Sequence, residues 1–272
     1  MPYYTALLLA FVIVSSAAPA AASAWVVAED TTKLIVSLET DRLHYLQSLP
    51  SDDTPTRLTR KAKRDSSQLS VEHGLTETWT LTGKVYESRW RIDTMTYDNW
   101  QLVAGLRRNT PVLKTSLMPP YLYQAIKKLC DSCHMHRDRP ASLEVTASFD
   151  HQNIGASNSD AGLTLSLADK ILVDGFSVMQ QVQYGTGGNR LQQWHKWSYR
   201  FEVGLGAQWR AGVQNEAFWD RPSAYANLTH GYYLEWHRPA SQMAIILLHG
   251  NRRDSSHPHV FDSTKLQLQM MF

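Results

Sequence analysis

The chain has 272 residues, with 27 Lys and Arg against 25 Asp and Glu, a balance that gives no electrostatic case for binding nucleic acid. Mean hydropathy of −0.35 excludes a bundle of membrane-spanning helices but not a barrel, whose strands need only every second residue apolar. Nine Trp and twelve Tyr are many for this length, and several stand at the ends of alternating segments, where an interfacial girdle would put them.

The chain opens with an apolar run, Tyr3 to Val14, followed by SSAAPAAASA, in which Ala22 and Ala24 take the small-x-small positions preferred by signal peptidase. A signal peptide over residues 1–24 with cleavage before Trp25 is expected, leaving about 248 residues. The alternative, an uncleaved anchor, draws on the lack of Lys or Arg beside Met1, but the run is shorter than the ~20 residues a spanning helix needs. No later stretch is apolar enough to cross as a helix, so membrane residence would require a barrel or a surface attachment.

Lys33 to Asp41 alternates, with Leu34, Val36 and Leu38 on one side and Ser37, Glu39 and Asp41 on the other, and predicts a first strand. Residues 50–67 are polar and aperiodic and read as a long exposed loop; their RKAKR run reads as solvated rather than as a polyanion site. Residues 68–75 and 79–87 predict a hairpin around Gly74-Leu75-Thr76-Glu77-Thr78, and Trp100, Leu102, Ala104 and Leu106 mark a fourth strand. After an insert over residues 109–140, Ala141 to Asp150 is a two-faced fifth strand, followed by a polar loop over 151–169 and a sixth strand over 171–184. The seventh, Trp197 to Trp209, is apolar at every odd position and bounded by tryptophans; the eighth spans 224–236. HRPAS turns the chain into a ninth strand over 243–251, and Val260 to Phe272 is the tenth. An even number returns the carboxyl terminus to the side of the amino terminus, and the long polar loops, 47–67, 88–99, 151–169, 210–222 and 252–259, all fall on the opposite side.

The last strand, VFDSTKLQLQMMF, puts Thr264, Leu266, Leu268, Met270 and Phe272 on one face and ends the chain on an aromatic. It resembles the C-terminal signature of bacterial outer-membrane β-barrels, and EHGLTETWTL resembles the periplasmic tight turn of proteobacterial members. The resemblance implies an antiparallel up-and-down transmembrane β-barrel of about ten strands in the outer membrane, with outer-membrane lipid and the barrel-assembly machinery as partners. A soluble periplasmic β-sandwich or lipocalin-like barrel would alternate in the same way with its apolar face turned inward; the Trp-bounded strands and terminal Phe favour the membrane form.

In that form the polar faces line a lumen, placing Glu39, Glu72, Lys84, Arg107, Glu144, Arg200, Glu202, Glu235 and Lys265 inside. Both signs of charge in a narrow lumen read as internal salt bridges rather than a general acid/base pair, and no G-x-S-x-G appears, so no enzyme activity is expected.

The two cysteines sit in Cys130-Asp131-Ser132-Cys133-His134. These five residues resemble the attachment site of c-type cytochromes, which implies haem c held by both thiols with His134 as the proximal iron ligand, and a periplasmic redox partner. Before it, PPYLYQAIKKL spaces Leu122, Ala125, Ile126 and Leu129 as an amphipathic helix that could cover one haem face; Met118, Met135 and His136 lie near without identifying a sixth ligand. A simple disulfide ring, or a redox or metal site without haem, fits the same residues. His249, His257 and His259 fall on the far side and do not add to a metal site. The expected function is a small channel or, with haem, an electron conduit; a non-transport barrel with a structural or surface-interaction role, its insert closed by a disulfide, is the alternative.

Overall fold

Successive side chains of a strand point to opposite faces, so a sheet closed on itself sorts one sequence into an inside and an outside. The computed structural model describes residues 27–49, 56–92, 94–110, 116–129, 135–152, 157–173, 176–189, 193–206, 208–221, 226–238, 242–254 and 257–272. In chain order they form β1 (Thr32–Leu49), β2 (Thr56–Gly74), β3 (Trp79–Ile92), β4 (Met95–Asn109), α1 (Pro120–Leu129), β5 (Met135–Asp138) and β6 (Ala141–Gln152). There follow β7 (Asn158–Val173), β8 (Phe176–Gly188), β9 (Gln193–Leu205), β10 (Trp209–Arg221), β11 (Ala226–Arg238), β12 (Met243–Asp254) and β13 (His257–Met271). The signal peptide expected over residues 1–24 lies outside the described residues.

Every pairing is antiparallel between chain neighbours, and β1 closes on β13 from Lys33↔Met271 to Arg42↔Asp262. β5 and β6 keep one register on β7, through Met135↔Val173 and Ala141↔Leu167, so they form a single stave broken only at Arg139 and Pro140. Proline has no N–H to give the ladder; its carbonyl still accepts from Ala168 N–H at 2.9 Å. The ring therefore has twelve staves, with β5 and β6 counted as one.

The barrel class is as the sequence implies; the count of ten strands is not. β7 occupies residues read as a polar loop, and β10 occupies another. The stretch read as a strand from Trp197 to Trp209 is the end of β9, a turn containing Gly206 at φ +64°, and the start of β10. The turn is three residues long, so Leu205 and Trp209 pair and the odd-numbered outward set continues through the reversal without a break. The stretch read as a sixth strand likewise crosses from β7 into β8. Residues 56–67 and 88–92 are strand rather than loop. Here the staves run past the apolar band, the outward positions carry Lys63, Asp65, Arg89 and Arg91 rather than apolar residues, and the period-two signal fades.

The outward face carries exposed Leu69, Leu102, Val145, Leu234, Leu247 and Leu266. Leu205 and Leu228 are 63% and 47% exposed, so the apolar sets of β9 and β11 form an outer surface and not a buried centre. Aromatic residues bracket this band. Trp209 and Trp236 pair outward at one end and Trp79 takes the Arg108 guanidinium at 5.3 Å, while Trp100, His195 and Trp219 mark the other. Such girdles lie where a barrel wall meets the head groups.

The start of β1 and Phe272, joined by Phe272 N–H to the Thr32 carbonyl at 2.9 Å, share one end of the barrel, the end that the sequence reading expects to face the periplasm. There Val27 donates its N–H to the Oγ1 of Thr80 at 3.1 Å and is buried, while Glu29 bridges to Gly74. A Cβ at Gly74 would lie 1.9 Å from the Ala28 carbonyl oxygen, so the crossing requires glycine there.

α1 lies against the outside of the wall at this same end. Ile171 and Val178 are outward positions, yet both are buried beneath Met118, Tyr123 and Ile126. Asp169 shares that outward face and is 0% exposed. It accepts from the backbone N–H of Leu117 and of Met118, each at 3.0 Å, and from Arg137 Nε at 2.8 Å, so the carboxylate is fully paired where lipid would otherwise meet it.

Candidate functional site

The inward positions of the staves form the candidate site, because alternation collects there nearly all the side chains that can bind or exclude a solute. Glu39, Glu72, Lys84, Arg107, Glu144, Arg200, Glu202, Glu235 and Lys265 all occupy inward positions of their strands.

Near the periplasmic end, Arg107 of β4 reaches Glu72 of β2 at 3.3 Å and Glu144 of β6 at 3.2 Å. Thr82 donates to the second oxygen of Glu144 at 2.6 Å. A second group hangs from β9, β10 and β11. Arg200 bridges Glu202 at 2.7 Å and Glu235 at 2.9 Å, and donates through Nε to Tyr233 Oη at 2.8 Å. Tyr233 passes its own proton to Glu202 at 2.7 Å, Arg210 stands 3.5 Å from Glu235, and His237 contacts that same carboxylate. In the strand order of the ring β4 and β10 lie on nearly opposite sides, so the two groups project toward each other and narrow the passage.

At mid-height Lys196 pairs with Glu216 at 3.1 Å, and Gln214 donates to the same carboxylate at 2.7 Å. The Lys196–Glu216 pair was not legible in the sequence, because β10 was read as loop; Gln214 and Glu216 do alternate with Val213 and Ala217 there. Lys84 faces a cavity of about 490 Å³ lined also by Gln101, Asp150, Asp160, Gln183 and Trp194. Toward the extracellular end Arg64 and Arg252 both bind the buried Asp41, at 2.6 and 3.2 Å, and both lie over the ring of Trp90. Phe261 meets Trp90 edge-on at 5.9 Å and packs on Ala62. This small core on the inward face fills the outer reach of β1, β2, β3, β12 and β13.

Cys130, Cys133 and His134, the residues expected to carry haem c, lie outside the described residues, between the end of α1 and the start of β5. The Tyr123 and Ile126 side of α1 is seated on the wall, and Met118, 1% exposed, is enclosed by that contact.

No family model and no curated protein matches the sequence. Among solved structures, an outer membrane channel from Pseudomonas putida F1 aligns with TM-score 0.53 at 10% identity, covering 94% of this chain and 100% of that one. LpxR from Salmonella typhimurium aligns with TM-score 0.49 at 10% identity over 88% of this chain and 100% of its own. The translocator domain of the autotransporter NalP from Neisseria meningitidis aligns with TM-score 0.45 at 12% identity, over 89% and 88%. At such identities the first of these carries the fold. Together with the apolar outer wall and its aromatic girdles, that fold makes the chain a transmembrane β-barrel of the bacterial outer membrane.

Proposed function

We propose that the barrel is a narrow passage for small polar solutes across the outer membrane. The observation that carries this reading is the lumen cavity of about 490 Å³, lined by polar side chains from β2, β3, β4, β6, β7, β8 and β9. Size supports it. Side chains fill a barrel of about eight strands, and sixteen or more leave an open aqueous channel, so twelve staves leave room that paired charges only partly occupy. The groups around Arg107 and Arg200 act as the constriction. There Glu72, Glu144, Glu202 and Glu235 face the guanidinium groups of Arg107, Arg200 and Arg210, with Lys33 beside Glu72 and Lys170 beside Glu202 and Glu235, a near balance of charge that gives little selectivity by sign.

In planar bilayers the purified chain is expected to give a small, steady single-channel conductance with little preference between cations and anions. Arg107→Ala should raise the conductance and shift it toward cations, since it clears part of the constriction and takes the guanidinium from Glu72 and Glu144. A barrel shown to be folded by its heat-modifiable gel mobility, yet silent in bilayers, would refute the passage.

The same proposal assigns Cys130 and Cys133 to a disulfide ring at the periplasmic rim rather than to haem, since the apolar side of α1 is committed to the wall. Protein produced with the cytochrome maturation apparatus is expected to lack a Soret band and to take up alkylating reagent at both thiols only after reduction. A Soret band on the purified chain would reverse the assignment and restore the electron-conduit reading.

A further inference from the structure

The lumen contains one aromatic feature that charge pairing does not explain. Trp194 of β9 points inward, at a height where its neighbours on β7 and β8 are Gly162, Gly185 and Gly187. A Cβ at Gly187 would stand 2.5 Å from Trp194 Cζ2, and one at Gly162 would stand 2.9 Å from the same atom. Three inward glycines thus form a floor on which the indole lies flat against the barrel wall. Any side chain larger than hydrogen at these two positions would lift it. Phe218 of β10 continues the surface, its ring 6.5 Å from that of Trp194 and tilted by 25°. Both rings line the polar cavity of about 490 Å³, a volume within the ~300 to 1,000 Å³ of small-molecule sites.

Two neighbouring, near-parallel rings bordered by hydroxyl, amide, carboxylate and ammonium groups match one ligand chemistry closely. A pyranose has a C–H face that stacks on an aromatic plane and an equatorial rim of hydroxyls that donate and accept. We infer that Trp194 and Phe218 form a stacking platform for a neutral saccharide inside the lumen, with Lys84, Gln101, Asp150 and Gln183 placed around the same cavity to meet its hydroxyls. The cavity wall sets Glu72, Glu144, Asp150 and Asp160 against Lys84, Arg107 and Lys196, a mixture of charge that favours a neutral sugar over one of either sign. A lipid or purely aromatic ligand would leave these polar groups unpaired. The inference rests on the reading of the lumen as a passage, and it names what that passage holds.

The test uses the full chain in detergent micelles, titrated with maltose, cellobiose and lactose and read by tryptophan fluorescence, together with ion current in bilayers with and without each sugar. Saturable quenching by at least one disaccharide is expected. Trp194→Ala, read through the sugar concentration that half-blocks the ion current because the reporting indole is gone, should weaken that binding by about tenfold, the loss for one stacked ring, while Trp194→Phe keeps most of it. Heat-modifiable mobility shows that each variant has closed its barrel. No saturable response to any of the three sugars, or a Trp194→Ala variant that binds like the wild type, overturns the inference. An ion current indifferent to every sugar overturns it too and leaves the passage standing. Sugar binding without current upholds the platform and removes the passage.

Discussion

Arg200→Met is expected to destabilise the barrel by about 3 kcal/mol, the low end of what breaking a buried ion pair costs, because the lumen admits some water. Among the described residues Arg200 alone joins Glu202, Glu235 and Tyr233 at hydrogen-bonding distance. Glu202 is 1% exposed, so its charge cannot turn to solvent when the guanidinium is gone, and Arg210 reaches it only at 3.6 Å. Methionine keeps most of the volume and removes only the charge and the donors. Urea unfolding in micelles, followed by tryptophan fluorescence, measures the loss. Adding Glu202→Gln should recover part of it, since the orphaned carboxylate is what makes the single change costly. A loss under about 1 kcal/mol would mean that the pair is solvated and that the group is no constriction.

Leu247→Arg is expected to cost about 2 to 4 kcal/mol, whereas Met243→Arg on the same strand should cost about 1 kcal/mol or less. Leu247 is 48% exposed, and in a water-soluble protein an arginine there would be close to neutral. Its cross-strand neighbours are Leu234 and Leu266, all three on the outward face at mid-height, where a guanidinium must be drawn into hydrocarbon. Met243 is the first residue of β12, at the rim, and a long side chain there reaches the head groups. Equilibrium unfolding of both variants in phospholipid vesicles gives the difference. Equal, small costs at the two positions would remove the membrane from around this wall.

What the sequence disclosed depended on whether a stave separates two media. β6 does so along nearly its whole length, and its alternation of Leu143, Val145 and Phe149 with Glu144, Thr146 and Asp150 was plain. Nine of the charges lining the lumen, Glu39 to Lys265, were legible for the same reason, since each has at least one apolar neighbour in the alternating pattern. β7 was missed because its Asn, Ser and Asp residues near the start outweighed Leu163, Leu165 and Leu167 further on. β10 was missed because its outward set includes Ala211, Asn215 and Ala217, too small or too polar to register. Trp194 and Phe218 carry no signature of facing inward. An aromatic in an alternating ribbon reads as part of the oily side, and only the three glycines across from the indole show that it does not belong there. The cysteine pair was legible as a motif, but a motif of five residues does not say what covers it. The amphipathic pattern of α1 fits the flank of a barrel as well as the face of a porphyrin, and in the structure its Tyr123 and Ile126 lie on the barrel wall.

The seam between β1 and β13 has a kinetic consequence. It joins residues more than two hundred positions apart, so the one contact that turns a curved sheet into a ring is also the one of longest range. Until it forms, two strands keep a full row of unanswered N–H and C=O groups while a greasy outer surface is already complete, the combination most prone to sticking to other chains. A barrel wired this way gains little from partial folding. The half-made sheet has to be shielded in the aqueous compartment and released only where lipid can receive it.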